Sequence, residues 1–143
     1  MESVNDIIAI ADLRLQEAQV LYDNNLYDGS VYLAGYCVEL LLKARIAQLL
    51  DLPNLFVTMR KEIIRPFKIH KLADLAIYAG LHRKLSESED ETFKLYWSLL
   101  QSNWNEELRY KKCSSCTQEQ AQQLINAIKD DQNGIQKWIK EQL

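Results

Sequence analysis

The chain has 143 residues, of which 48% are hydrophobic and 26% charged, with a formal net charge of −3. That length holds one core of ordinary size and excludes two independent ones, so residues 1–143 read as a single soluble globular domain. Only four Gly and two Pro occur, which argues against an all-β sandwich or barrel, and the negative charge excludes a chain that is basic overall.

The first residues, Met1 to Asp6, set no basic stretch ahead of an apolar one, so no secretory signal is expected. From Ser3 to Asn24, Val4, Ile7, Ile8, Ala11, Leu15, Ala18 and Tyr22 recur at three- and four-residue steps. This is an amphipathic helix with one apolar stripe. Asn24-Asn25 is its stop, because Asn tolerates left-handed backbone geometry. Asp28 or Ser30 then caps a second helix, Asp28 to Leu50. Between Val31 and Leu50 only Glu39, Lys43, Arg45 and Gln48 are strongly polar. A helix apolar on every side is central and packed on more than one face. Its longest apolar or small run, Val31 to Val38, falls far below the roughly 20 residues that cross a membrane. Pro53 ends this helix and opens a short one through Lys61.

Pro66 forbids a continuous helix through Arg65-Pro66-Phe67. A third helix is expected from His70 to Ala79, stopping at Gly80. A fourth starts at Ser88 with Glu91 as a capping box and carries Phe93, Tyr96, Trp97, Leu100 and Trp104 on one stripe. Thr117 with Gln120 is a second capping box. The last helix places Ala121, Leu124, Ile125, Ile128, Ile135, Trp138 and Ile139 in one phase. It is read as continuous to the C-terminus, with about 1 kcal/mol of penalty at Gly134. The expected fold is all-α: an up-down antiparallel bundle of about five helices.

Charge is segregated. Residues 60–84 sum to +5, from Arg60, Lys61, Arg65, Lys68, Lys71, Arg83 and Lys84 against Glu62 and Asp74. Residues 109–112 add +3, while residues 1–30 and 85–108 each sum to −5. The basic stretches suit phosphate groups; the blander reading, a solvated loop region, weighs more. Glu39 and Lys43 stand one turn apart in the apolar helix. A buried carboxylate needs Lys43, Arg45 or a cation from another helix. Such a pair is a polar pocket or, more simply, an ion pair that fixes helix register. Cys113-Ser114-Ser115-Cys116 has CxxC spacing, but Cys37, His70 and His82 complete no zinc set and no strand precedes it as in redox motifs. It reads as a polar loop with two thiols. An odd number of cysteines without an export signal suggests reduced thiols in a cytoplasm. Arg65 and His70 have the spacing Arg-x4-His, in which an Arg and a His can bind a phosphodiester and move its protons; by itself the spacing is weak evidence.

Leu13-Arg14-Leu15 with Ala18, the Tyr27-Asp28-Gly29-Ser30 turn, and Leu33-Ala34-Gly35-Tyr36-Cys37-Val38-Glu39-Leu40-Leu41-Leu42-Lys43-Ala44 resemble the HEPN (higher eukaryote and prokaryote nucleotide-binding) family. The Glu-x3-Lys-Ala stretch is the most specific part. Lys68-Ile69-His70-Lys71-Leu72 resembles the family's helix-start histidine, and Trp104 to Arg109-Tyr110 its basic-aromatic corner before the last helix. The resemblance spans residues 8 to 130 and implies a helical bundle that pairs as a homodimer. Members include metal-independent ribonuclease toxins, nucleotide-binding partners of small nucleotidyltransferases, and noncatalytic scaffolds. The ribonuclease motif, Arg-x4–6-His, normally lies on one helix with a polar residue after the Arg. Here Pro66 follows Arg65 and separates it from His70.

The first expectation is therefore a noncatalytic, cytoplasmic HEPN homodimer that binds a nucleotide or a nucleic-acid phosphate. Glu39 and Lys43 would line its cleft, and His70, Arg109 and Tyr110 would supply donors and a stacking face. Its partner would be a nucleotidyltransferase-type or antitoxin protein. The second is a metal-independent endoribonuclease using His70 with Arg65 or Arg109. The third is a dimeric scaffold without a ligand. No metal, cofactor or membrane is expected in any of them.

Overall fold

The computed structural model of the protein describes residues 3–52 and 64–143; the helix expected from Pro53 to Lys61 lies outside them. In chain order the elements are α1 (Val4–Asp23), α2 (Tyr27–Leu49), a first 3-10 turn (Arg65–Lys68), α3 (Leu72–Tyr78), α4 (His82–Ser86), α5 (Glu91–Asn103), a second 3-10 turn (Glu106–Tyr110), α6 (Gln118–Lys129) and α7 (Ile135–Glu141). No strand occurs among the described residues. The described residues form an all-α bundle. Among them five expected helices become seven because α4 was not foreseen and the last helix is broken in two.

Ser3 starts α1 with a reciprocal capping box to Asp6, and Asn25 turns the chain at φ 63. The hairpin of α1 and α2 closes on Ile7, Ala11, Leu15 and Ala18. A buried hydrogen bond from Ser30 Oγ to the Ala18 carbonyl (2.8 Å) locks it. Neither Asp28 nor Ser30 caps α2; its N-cap is Leu26, with no side-chain bond. Ser30 is spent on Ala18, and Asp28 reaches another loop. As its apolar girth requires, α2 is the central rod, packed by α1, α3, α6, α7 and both 3-10 turns.

Gly80, at φ 69, ends the α3 region as expected. The cap of α5 is Asp90, whose carboxylate accepts from Phe93 N–H at 3.0 Å, rather than Ser88. A carboxylate is the stronger acceptor for the first-turn amides, and Ser88 Oγ is left with Asp90 N–H. The α5 stripe buries Phe93, Trp97, Leu100 and Trp104, and Phe93 stacks on Trp138 at 4.8 Å. The Thr117–Gln120 capping box opens α6.

The expected continuous C-terminal helix stops at Lys129. Asp130 takes φ −50, ψ 128. Its carboxylate accepts from Tyr96 O–H (2.7 Å) and Gln132 N–H (3.0 Å), a side-chain turn that competes with helix. Those two donors hold the Asp130 carboxyl below the usual range, the Gln132 amide contributing most. Gly134 then lets the chain pass close to the Asp130 backbone, where a Cβ would not fit. The apolar phase survives the break: Ile135 and Ile139 are fully buried.

The tightest seam lies between α2 and Trp104. The indole crosses Gly35, and a Cβ there would run into the ring. Its Nε1–H donates to the Tyr32 carbonyl at 3.0 Å. Replacing Gly35 with Ala restores about 1 kcal/mol of helix propensity, but overpacking a filled seam costs about 1–3 kcal/mol. Gly35→Ala is expected to lower stability by about 1 kcal/mol net and to shift tryptophan emission in a urea titration. A midpoint at or above the parent's would show that Trp104 yields freely.

Candidate functional site

The 3.6-residue period brings Tyr32, Tyr36, Glu39 and Lys43, spaced four, three and four apart, onto one face of α2. They span roughly 16 Å at 1.5 Å per residue. Toward one end lies a charge cluster. Glu39 is 1% exposed and Lys43 7%. Lys43 Nζ donates to Glu39 Oε1 at 2.6 Å, so the cation the carboxylate needs is its own i+4 neighbour. The same oxygen meets His70 Nδ1 at 2.9 Å. Arg45, the other cation considered for Glu39, turns instead to Gln48 Oε1.

His70 arrives by a local device. Pro66 and Phe67 are buried and anchor the first 3-10 turn. Beyond it Ile69 is extended, at ψ 144, and directs the chain back toward α2. Expected to open α3, His70 in fact precedes it; the N-cap is Lys71 and the helix begins at Leu72. An ionised carboxylate only accepts, so Nδ1 carries the proton and Nε2 is the free nitrogen of a half-exposed ring. Arg65 is exposed in the 3-10 turn and shares no helix with His70. His82 is exposed on α4 and takes no part in the cluster.

The other end is aromatic and basic. The second 3-10 turn presents Arg109 and Tyr110, with the Arg109 guanidinium 4.9 Å from the Tyr110 ring centre. A side-chain hydrogen bond with Tyr32 leads the influences that push Arg109 up, keeping it charged. Tyr32 stacks on Tyr36 at 6.1 Å and on Trp104 at 6.4 Å. Burial, and then the Glu39 carboxylate, push the Tyr36 phenol up, so it stays a neutral donor. Tyr36 thus joins the two ends of the face electrostatically.

The five residues expected to bind a ligand therefore sit along one face, in two different conditions. Glu39 and Lys43 are buried and committed to each other. His70 is half-exposed, and Arg109 and Tyr110 are exposed. Tyr32 and Tyr36 were not foreseen, although their spacing to Glu39 and Lys43 carried the signal. Of the basic stretch from 60 to 84, Arg60 and Lys61 lie outside the described residues, and Arg83 is paired with Glu87. Arg65, Lys68 and Lys71 are exposed with no acidic partner among the described residues. No group of three or more metal-ligating side chains occurs among the described residues, and none of their helices is long and apolar enough to cross a membrane.

Residues 4–54 match the family model described as HEPN domain. This stretch of the chain is similar to a HEPN domain. The matched span is the α1–α2 hairpin, including Glu39, Lys43 and the two tyrosines of the face. No curated protein and no solved structure matches the chain. His70, Arg109 and Tyr110 lie beyond the matched HEPN span and join the face through the contacts above.

Truncating one partner of a buried ion pair strands the other charge, at a cost of about 3–5 kcal/mol. Glu39→Leu is expected to lower unfolding stability by about that amount. The double variant Glu39→Leu/Lys43→Met, which replaces the whole pair with apolar volume, is expected to recover most of it. A single variant as stable as the parent in chemical denaturation would mean that the pair has no bearing on the core.

Proposed function

We propose that this protein is a noncatalytic homodimeric HEPN module that binds a nucleotide or a nucleic-acid phosphate along the tyrosine face of α2. The observation that carries this reading is the alignment of His70, Arg109 and Tyr110 on a face whose buried charges are already satisfied. Arg109 offers a planar, permanently charged donor set suited to phosphate. Tyr110, 77% exposed, offers a ring on which a base stacks. Arg65, Lys68 and Lys71, in the segment that delivers His70, add positive charge with no acidic partner among the described residues. Glu39 and Lys43 hold the histidine rather than the ligand.

One observation favours a second reading. Glu39 orients His70 through Nδ1, and Nε2 has no hydrogen-bond partner among the described residues, the arrangement a general acid–base histidine needs. A metal-independent endoribonuclease is therefore the alternative, with His70 and Arg109 as its working groups.

The two readings separate in one set of assays. A short single-stranded RNA and a nucleoside triphosphate are titrated against the protein by fluorescence anisotropy and calorimetry at several salt concentrations. Affinity for the phosphate-bearing ligand is expected to fall with salt, and Arg109→Ala to flatten that slope by about 0.7 for the RNA. In EDTA the RNA is expected to survive as long as with His70→Ala. Absence of binding to either ligand would remove the first reading; EDTA-resistant cleavage lost in His70→Ala, a general acid–base effect of about 10²–10⁴-fold, would install the second.

The homodimer rests on exposed apolar surface. Leu13 and Val20, 46% and 59% exposed, fall seven residues apart on α1 and so share a face. Such residues, with the aromatic-rich surface, are what protein interfaces cover. Light scattering is expected to give twice the 16.7 kDa chain mass at micromolar concentration, and Leu13→Asp/Val20→Asp to halve it. A parent protein of single-chain mass would overturn the dimer.

A further inference from the structure

Cys113-Ser114-Ser115-Cys116 takes no part in the face just described, yet it has a defined shape. The chain turns at residues 113 and 114, and Ser114 sits at φ 62, a left-handed conformation that costs a serine free energy unless its surroundings hold it. Asp28, in the first turn of α2, does so. Its two carboxylate oxygens accept separately from Ser114 N–H at 2.6 Å and Cys116 N–H at 2.8 Å. One side chain thus grips the backbone inside the Cys-x-x-Cys stretch at two points. Both cysteines and Asp28 line a single cavity of about 430 Å³. Both thiols are free; Cys113 is exposed and Cys116 half-buried.

We propose that Cys113 and Cys116 form a thiol–disulfide exchange site, closing reversibly to an intramolecular disulfide with a small or protein disulfide as co-substrate. Access assigns the order. The exposed Cys113 thiolate attacks one sulfur of the co-substrate. That S–S bond breaks, and the departing thiolate carries away the electron pair and takes a proton. Cys116 then loses its proton to solvent and attacks Cys113 Sγ, forming the loop disulfide and releasing the second half of the co-substrate as a thiol. Two protein thiols are oxidised and one external disulfide is reduced to two thiols. Burial first, and then the Asp28 carboxylate, push the Cys116 thiol up, which suits a second, resolving thiol protected from direct attack. Cys37 is excluded: it is buried in α2, and burial pushes its thiol up to about 12. Asp28 has a positioning role, holding the turn folded so that the second thiol need not search for the first. This inference is independent of the nucleotide reading.

The test equilibrates the full chain in mixtures of reduced and oxidised glutathione, quenches with acid, alkylates under denaturing conditions and reads intact mass and peptides. The expected product lacks two hydrogens, leaves Cys113 and Cys116 unalkylated and Cys37 alkylated, and reverts with dithiothreitol. Cys113→Ser and Cys116→Ser, changes on an exposed loop, are each expected to stop at a glutathione mixed disulfide while keeping the parent's circular dichroism. Asp28→Ala, checked for folding in the same way, is expected to lower the loop disulfide's equilibrium constant at least about tenfold, since both charge-assisted hydrogen bonds to the turn are lost. Free thiols in excess oxidised glutathione, disulfide-linked dimers, or glutathionylation of the parent as the end product would overturn the proposal. An unchanged constant in Asp28→Ala would overturn the role of Asp28.

Discussion

A carboxylate in the middle of an apolar helix governs this molecule. Glu39 lies on the rod against which α1, α3, α6, α7 and both 3-10 turns pack, and it is as buried as the leucines beside it. Desolvation would make an isolated charge there untenable. Its compensation comes from two directions. Lys43 approaches from the same helix one turn on, and His70 from a segment 31 residues later. The first could form in an isolated helix. The second requires the chain to leave α2, turn over Pro66 and Phe67, and run back extended. Neutralising Glu39 and delivering His70 to the surface are therefore one structural event, and residues 65–71 are held by the same buried charge.

The same rod explains how an aromatic face survives beside so much burial. Tyr32 and Tyr36 lie along the side of α2 where the second 3-10 turn and Trp104 cover it only in part. Trp104 comes close enough to hydrogen-bond the Tyr32 carbonyl because position 35 has no side chain. The small residue is thus a packing requirement and not a hinge. It seats the indole, the indole backs Tyr32, and Tyr32 holds Arg109.

What was legible in the sequence follows from the range of the interactions concerned. The α1 stripe, the apolar girth of α2, the Thr117–Gln120 box and the Gly80 stop are local patterns, and they read true. So did the need of Glu39 for a cation, because an i+4 lysine is itself local. The features that were missed are pairings at long range. Asp28 looked like an N-cap because nothing in its neighbourhood revealed two amides of residues 114 and 116. Asp130 looked like ordinary helix because Tyr96, its partner, stands 34 positions earlier. Ser88 looked like a cap because a serine three residues before a glutamate fits the motif, whereas Asp90 took the amide as the better acceptor. His70 was placed on a helix that starts two residues later, since its attraction to Glu39 could not be seen from the His-Lys-Leu run. Except at Ser88, where the competitor was a near neighbour, a polar side chain left its local role for a partner across the bundle.

The geometry of the face bears on what its two ends can do together. Within one chain, His70 is anchored at Glu39 and Arg109 at Tyr32, seven residues apart on α2, or roughly 10 Å along the axis. A one-centre acid–base reaction needs both groups within hydrogen-bonding reach of one phosphate, about 3 Å. Anchors so far apart leave that demand to the reach of the two side chains alone. Arg109 is also already engaged by the Tyr32 hydroxyl and the Tyr110 ring, which hold it at its own end. The separation instead fits a ligand with two recognition points, an anionic group at one and a stackable ring at the other. A base and its phosphate, or two successive nucleotides, present those features over that range. Catalysis demands that both groups converge on one phosphate. Binding makes no such demand, so the proposed binding reading asks less of this face than catalysis does.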